Sequence, residues 1–420
     1  MAASNELAKV SGPISLYYSD SHNDQLQSQN VTYDTRFRSG FQTLGAGQQV
    51  VQIPVDGGLS RCCLVFGWDA GALSGLGEFD LIPKAFGYQA IESITWRVAG
   101  SSEYRLTGAQ LLAKNLRLAS NSGTKQAIYD LAGSEQLGPT DAASYAFIPL
   151  PLWTMPDNGG FANPINGDLL AQQVQIRVQM RAPSAYMFSP GSGTAVVAAV
   201  SPPAAYSVGY FQAEFLRLVD RAQSIAPKVQ EDTYVSPLAC DFDQSELSLP
   251  LPAGSAANTP LTFSGLIFGQ TKMLQVFLTC NDNTDAANAS VYAAPLSVQM
   301  TYAGTVYASY DNFSSRIWNV MDGNAPSAVS GNNRVVAAGA WVSTPAVVST
   351  LSEYVNLPLS QPISNDHATE IQVHGMNISN GSITLNITAP DPTKNYTVHV
   401  VPVLRGALSY SRGSANILIG

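Results

Sequence analysis

From Gln49 onward the chain is a succession of short runs rich in Val, Ile, Leu, Tyr and Thr, broken at close intervals by Gly, Pro and Asn. VVQIPV (Val50–Val55) and CCLVFGW (Cys62–Trp68) open the series, and both read as strands. In QAIESITWRVAG, Ile91, Ser93 and Thr95 alternate with Glu92, Ile94 and Trp96. Val98 continues the second set, so one face is more apolar and points to a core. The period then changes: Leu111, Leu112, Asn115, Leu116 and Ala119 recur at helical spacing and predict a short helix. YAFIPLPLW (Tyr145–Trp153), the turn cluster PDNGGFANP, and LLAQQVQIRVQM (Leu169–Met180) predict strand, long loop, strand, with Val174, Ile176 and Val178 in strict alternation. YFQAEFLRLVDRAQSI (Tyr210–Ile225) reads as a charged, partly helical linker. Pro227 and Pro237 bracket a crossing to the second half, placed near residue 228.

The second half repeats this texture. LTFSGLIF (Leu261–Phe268), MLQVFLTC (Met273–Cys280), LSVQMTYAGTVYASY (Leu296–Tyr310), EIQVHGMNI (Glu370–Ile378), SITLNIT (Ser382–Thr388) and YTVHVVPVL (Tyr396–Leu404) are all strand-like. Thr397, His399 and Val401 alternate with Val398, Val400 and Pro402, and that proline predicts an edge position or a bulge near the strand's end. Residues 1–40 carry few apolar side chains, and Ser19–Asn30 is too polar to bury anything, so an extended arm is expected there. Each half offers about eight strand candidates with long loops between them, which suits an eight-stranded jelly roll. The fold class read from the pattern is therefore all-β: an arm over 1–40, a jelly-roll sandwich over 41–228 and another over 229–420, with short helices in loops. A pair of immunoglobulin-like domains is less favoured, because no Cys–Trp–Cys pattern supports it.

Composition sharpens this picture. A chain of 420 residues suits two domains of typical size. Only 12% of residues are charged, about half the usual share, while 45% are hydrophobic. The polar surface is therefore mostly Ser, Thr, Asn and Gln. With 21 basic against 30 acidic residues, net charge is −9, which argues against direct binding of nucleic acid. Met1–Val10 lacks the pattern of a secretory signal, and no run of 18 apolar residues occurs, so a soluble protein that stays where it is translated is expected.

Candidate chemistry is sparse. Cys62, Cys63, Cys240 and Cys280 make no disulfide framework and read as buried thiols, with adjacent Cys62 and Cys63 on opposite faces if they share a strand. GLGEFD (Gly75–Asp80) lacks the third glycine of a dinucleotide loop, and no phosphate-binding loop motif is present. His367, Glu370 and His374 lie close in sequence but read as polar positions of a strand rather than a metal site. Asp241, Asp243 and Glu246 form an acidic cluster that reads as a solvated strand end, although paired carboxylates also serve glycoside hydrolysis. With His22, His367, His374 and His399 the only histidines, no Ser/His/Asp set is indicated by spacing. Trp96, Trp153, Trp318 and Trp341 read as core or interface anchors before they read as a sugar platform. Sequons begin at Asn30, Asn288, Asn312, Asn377, Asn380, Asn386 and Asn395, as chance supplies in a chain this rich in Asn, Ser and Thr. No catalytic, cofactor or metal residue is assigned.

The order of these segments resembles the major capsid protein of nucleocytoplasmic large DNA viruses and the double jelly-roll capsid proteins of related tailless icosahedral DNA viruses. The resemblance lies in AIESITWRVAGSSEYRLTGAQLL (Ala90–Leu112), FIPLPLW followed by GGFANP (Phe147–Trp153, Gly159–Pro164), and AEFLRLVDRAQSIA (Ala213–Ala226) at the close of the first half. It continues in Ser360–Ile387 and in YTVHVVPVLRGALSYSRG, where a short Gly-containing turn is expected after Leu404. Thr154 and Asn163 depart from the family's usual aromatic and Leu, which makes the relation remote. The resemblance implies a structural protein, not an enzyme, forming homotrimers whose six sandwiches make a pseudo-hexagonal block in an icosahedral shell. It implies neighbouring capsomers and minor capsid and vertex proteins as partners, with any internal membrane contacted through other proteins. The implied place is the virion, assembled inside the host cell, without cofactor. The rival reading is a carbohydrate-binding or hydrolytic β-sandwich, motivated by the tryptophans and the Asp241–Glu246 cluster.

Overall fold

Strands that bury every second side chain must pair sheet against sheet, and the chain does this twice. The computed structural model describes residues 31–54, 58–76, 82, 85–98, 103–118, 122–133, 143–151, 165–166, 173–190, 196–198, 202–218, 236–243, 247–264, 270–280, 292–311, 333–337, 340–344, 354–359, 376–377, 382–411 and 414–419.

In the first sandwich one sheet orders β1 (Val31–Gly40), β11 (Val208–Leu218), β3 (Gly58–Trp68) and β6 (Ser144–Pro149), with β7 (Ile165–Asn166) also on β3. The facing sheet orders β2 (Gly47–Ile53), β8 (Val174–Met180), β4 (Ile91–Val98) and β5 (Tyr104–Thr107). A small hairpin pairs β9 (Phe188–Pro190) with β10 (Val196–Ala198). Among the described residues three α-helices, α1 (Phe86–Gln89), α2 (Gly108–Leu118) and α3 (Ser122–Leu131), lie in the connections.

In the second sandwich β12 (Ser236–Asp243), β24 (Tyr396–Ser411), β15 (Gln270–Cys280) and β16 (Tyr292–Ala293) form one path. On it β24 also carries β13 (Leu247–Leu251) and β25 (Ser414–Ile419), while β15 carries β21 (Val355–Pro358) and β22 (Met376–Asn377). The facing sheet orders β14 (Thr259–Phe263), β23 (Ile383–Thr388), β17 (Ser297–Tyr302) and β18 (Thr305–Asp311). β19 (Asn333–Ala337) and β20 (Ala340–Thr344) pair with each other.

All pairings are antiparallel, and both halves follow one rule. Counting eight main strands in each half in chain order, with β21 rather than the two-residue β16 beside β15 in the second, one sheet takes the first, eighth, third and sixth, and the other takes the second, seventh, fourth and fifth. That is the double Greek key of a jelly roll, so the fold is a tandem double jelly roll.

The expected strands place their apolar sets inward. On β8, Val174, Ile176, Val178 and Met180 are all buried between polar neighbours. On β3, Leu64, Phe66 and Trp68 enter the first core, where Tyr206 meets the rings of Phe66 and Trp68 at centroid distances of 5.1 Å each. β4 needs a bulge: its register against β8 shifts between Ile91 and Ser93, which turns Ile91 inward with Ile94, Trp96 and Val98 and leaves Glu92 exposed.

Four expectations are corrected. Residues 31–40, expected in the arm, form β1 instead, fully paired to β11 apart from one bulge; residues 1–30 lie outside the described ones. Tyr210–Leu218 is not a partly helical linker but most of β11, with Phe211 and Ala213 buried at a period of two between β1 and β3. The crossing placed near residue 228 lies outside the described residues. Pro402 is neither at an edge nor near an end: it sits mid-way along the 16-residue β24, opposite Leu274 of β15. On its other flank the partner changes, since β12 reaches Val403 and β13 begins at Val400. The missing N–H of proline is tolerated at that break in the ladder. Gly406, expected in a turn, lies within β24.

Candidate functional site

The two sandwiches meet in a buried joint, and it begins with β15. Its Leu274, Val276 and Leu278 belong to the second core, so the alternate residues should face solvent. They do not: Gln275 is 0% and Phe277 1% exposed. β24 behaves likewise, sending Val398 and Val400 into the second core while Val401 belongs to the first. This explains the near-continuous apolar runs in both strands, which are buried on two faces. Phe277 and Tyr354 also join the first core, and the ring of Phe277 stacks on His399 at 4.8 Å and 9°. His399 Nε2 lies 2.8 Å from Thr279 Oγ1.

What covers this face is α2 of the first sandwich. The helix starts where it does because Thr107 and Gln110 cap it reciprocally: Gln110 N–H donates to Thr107 Oγ1 at 3.2 Å, and Thr107 N–H donates to Gln110 Oε1 at 2.9 Å. Leu111, Leu112 and Leu116 belong to the first core, and Asn115 Nδ2 donates to Tyr88 Oη at 2.8 Å and to the Pro149 carbonyl at 3.1 Å. The polar positions of the helix are buried too, Lys114 to 2% exposure, and Arg117 among them meets the second sandwich. Gln275 spans the joint. Its Oε1 accepts from Arg117 Nη1 at 2.9 Å, and its Nε2 donates to the Ala113 carbonyl at 3.2 Å. A guanidinium taken out of water needs such a partner, and burial of Phe277 and Val401 adds about 1.5–3 kcal/mol each. The joint is packed and hydrogen-bonded; mechanically, it holds two sandwiches as one block.

The residues weighed for chemistry do not converge. Cys62 is buried in the first core and Cys63 half-buried on the opposite face of β3, with burial raising the Cys62 thiol well above its ordinary pKa and Cys63 adding to it. Asp241 and Asp243 sit on β12 opposite Arg405 and Val403, while Glu246 lies outside the described residues. His367, Glu370 and His374 also fall outside them, as do Glu78 and Asp80 of the Gly75–Asp80 loop, Trp153 and Trp318. Trp96 is buried and stacks on Tyr104 at 5.2 Å, an anchor rather than a platform, and Trp341 lies on β20 opposite Val336. Of the sequon residues, Asn386 is on β23, donating to Gln299 Oε1 at 2.9 Å, and Asn395 accepts from Ala253 N–H at 2.9 Å. Among the described residues no group of three or more His, Cys, Asp or Glu side chains is placed to hold a metal, and no helix is long and apolar enough to cross a membrane.

Reasoning from sequence missed Gln275, Phe277, Arg117 and Val401 as joint residues. One signal was there to read: Thr107-x-x-Gln110 ahead of an apolar run marks a capping box.

No protein-family model and no curated protein matches the sequence. Solved structures match in fold across both sandwiches. The PBCV-1 virus capsid superposes with a TM-score of 0.59 at 10% identity, covering 93% of this chain and 97% of that one. The Sputnik virophage structure gives 0.56 at 11%, covering 93% and 89%. The mavirus major capsid protein gives 0.51 at 13%, covering 92% and 90%. The chain therefore has the double jelly-roll fold found in viral capsid proteins.

Proposed function

We propose that this chain is the major capsid protein of an icosahedral DNA virus, self-assembling as homotrimers whose six sandwiches form pseudo-hexagonal blocks of the shell. The observation that carries the reading is the buried joint: two sandwiches of identical strand order are locked into one unit through α2, Gln275 and Phe277, over a length of chain that matches capsid proteins almost end to end. A sparsely charged surface supports it, because uncharged polar side chains can be buried against neighbours without the desolvation cost of unpaired ions. In this reading the chain acts structurally rather than as an enzyme. Its partners are further copies, then minor capsid and vertex proteins, and its place is the virion after assembly inside the host cell.

Light scattering coupled to size exclusion tests the reading. A mass of three chains is expected, with compact triangular or hexagonal particles in negative stain. A strictly monomeric protein at high concentration overturns it. The rival carbohydrate-directed reading is favoured by no specific observation, since Trp96 is core and Asp241 and Asp243 sit within a paired strand.

A further inference from the structure

In a chain with so few charges, the outward face of the sheet formed by β2, β8, β4 and β5 gathers three arginines. Alternation sends Val174, Ile176, Ile94, Trp96 and Leu106 into the first core, so Arg177 of β8, Arg97 of β4 and Arg105 of β5 lie on the opposite side. Pairing sets them side by side. Val50, Arg177, Thr95 and Arg105 form one cross-strand row, and Gln175 with Arg97 lies in the next, a spacing that long side chains bridge. Glu103, immediately before β5, is the carboxylate at this cluster. Glu92 stands apart from it at the bulge, beyond Ser93. The other outward positions of these strands, from Gln48 and Gln52 to Ser93 and Thr107, are uncharged.

The cluster is only partly neutralised. Arg177 Nη2 meets Glu103 Oε1 at 3.0 Å and donates to Gln175 Oε1, also at 3.0 Å. Arg97 buries its Nε without a hydrogen-bond partner, and Arg105 is exposed with no ion pair or hydrogen bond among the described residues. Three guanidiniums thus face one carboxylate, in a chain of net charge −9. Neighbouring like charges on a sheet disfavour one another, and an anion among them relieves that cost. Glu103 shows which anion fits, since a planar carboxylate matches the guanidinium fork and is held by two parallel hydrogen bonds where geometry allows. Anionic membranes are bound by clusters of about 4–8 Lys or Arg, more than this face carries, and the chain's overall charge opposes nucleic acid.

We infer that the outward face of β8, β4 and β5, centred on Arg97, Arg105 and Arg177, docks an acidic peptide segment of a partner protein, whose carboxylates sit beside Arg97 and Arg105 as Glu103 sits beside Arg177. Charge complementarity selects such a partner, and the uncharged Ser, Thr and Gln around the arginines offer hydrogen bonds to its amides without a competing carboxylate. The inference goes beyond the capsid reading and does not depend on it, because it concerns one face of the first sandwich.

Isothermal titration calorimetry of the full chain with hexaglutamate tests this, with hexaglutamine, inorganic phosphate and phosphatidylserine vesicles as comparison probes and circular dichroism to confirm folding. Hexaglutamate is expected to bind and hexaglutamine not. Arg105→Gln should weaken binding about tenfold, and Glu103→Gln, which removes the competing carboxylate, should tighten it about threefold. Lys394→Gln makes the same change of charge at a surface turn of the second sandwich and should leave binding within about twofold, since it lies outside the patch. If Arg105→Gln does not fold, Arg105→Lys replaces it, keeping the charge but losing the fork, and weaker binding is again expected. Absence of hexaglutamate binding, a folded Arg105 variant that binds like wild type, or a Glu103→Gln that binds more weakly overturns the assignment. Phosphate binding as tightly as hexaglutamate makes the face a general anion site and overturns it too, as do vesicles that bind where hexaglutamate does not. An Arg105→Gln that alters the mass of the assembly in light scattering, with no hexaglutamate bound by wild type, gives the face to another copy of the chain and overturns it. None of these outcomes touches the capsid reading, which falls only with a monomeric wild type.

Discussion

Gln275 and Arg117 lie 158 residues apart in sequence and meet in a buried hydrogen bond of 2.9 Å, a polar tie in which a side chain of each sandwich reaches the other. Replacing Gln275 with Ala removes the hydrogen bonds it makes to the Arg117 guanidinium and the Ala113 carbonyl in a buried joint. A loss of about 2–4 kcal/mol is expected in urea unfolding. Arg117→Ala should cost a comparable amount, and the double variant less than the sum, because both remove one interaction. Strict additivity would show that the two side chains do not act on each other.

Gly67 is needed where β3 and β6 approach most closely. A Cβ there would run into the Ser144 carbonyl and the Tyr145 backbone, which cannot move away without breaking the pairing of Gly67 with Tyr145. Gly67→Ala is expected to destabilise the first sandwich by about 3 kcal/mol or more, read as a lowered thermal midpoint. An unchanged midpoint would mean that β6 is free to shift.

The β17–β18 hairpin turns through Ala303 and Gly304, with φ of 48° and 78°. Two successive positive φ values call for Asn-Gly, and Ala303 is exposed, so nothing but backbone strain is at stake. Ala303→Asn should raise stability by about 0.5–1 kcal/mol. Denaturant midpoints of the two proteins check it.

Tyr186 and Tyr206 share a hydrogen bond of 2.8 Å between their hydroxyls in the first core. Burial pushes both phenols above their ordinary value of 10, Tyr186 with a further push from Tyr206, while their shared hydrogen bond partly opposes the rise at Tyr206. The fold therefore favours the protonated pair. Their contribution is complete below about pH 10 and declines as pH rises through the raised folded values. The thermal midpoint should fall steeply above pH 10, and less steeply in Tyr186→Phe/Tyr206→Phe, which removes both titrating groups while leaving no unpaired partner. Equal slopes in the two proteins would exclude this pair as the source.

Local pattern carried much of the architecture. Val174, Ile176 and Val178 announced β8, Leu111, Leu112 and Leu116 announced α2, and the change of period between them told strand from helix, because side-chain direction repeats every two residues in one and every 3.6 in the other. Segments under two influences were harder to read. In β11, Phe211, Phe215, Leu216 and Leu218 fit either period, and pairing on both sides with β1 and β3 decided for strand. The bulge at Glu92 and the position of Pro402 likewise depend on which neighbour the backbone meets.

The order of secondary structure, the twofold repetition of a β-rich half and the low charge are properties of the sequence alone, since each follows from neighbouring residues and their count. That Gln275 and Phe277 face another sandwich rather than water was settled only in three dimensions. A strand's two faces are equivalent until something packs on them, and what packs here is a helix more than 150 residues away in the chain.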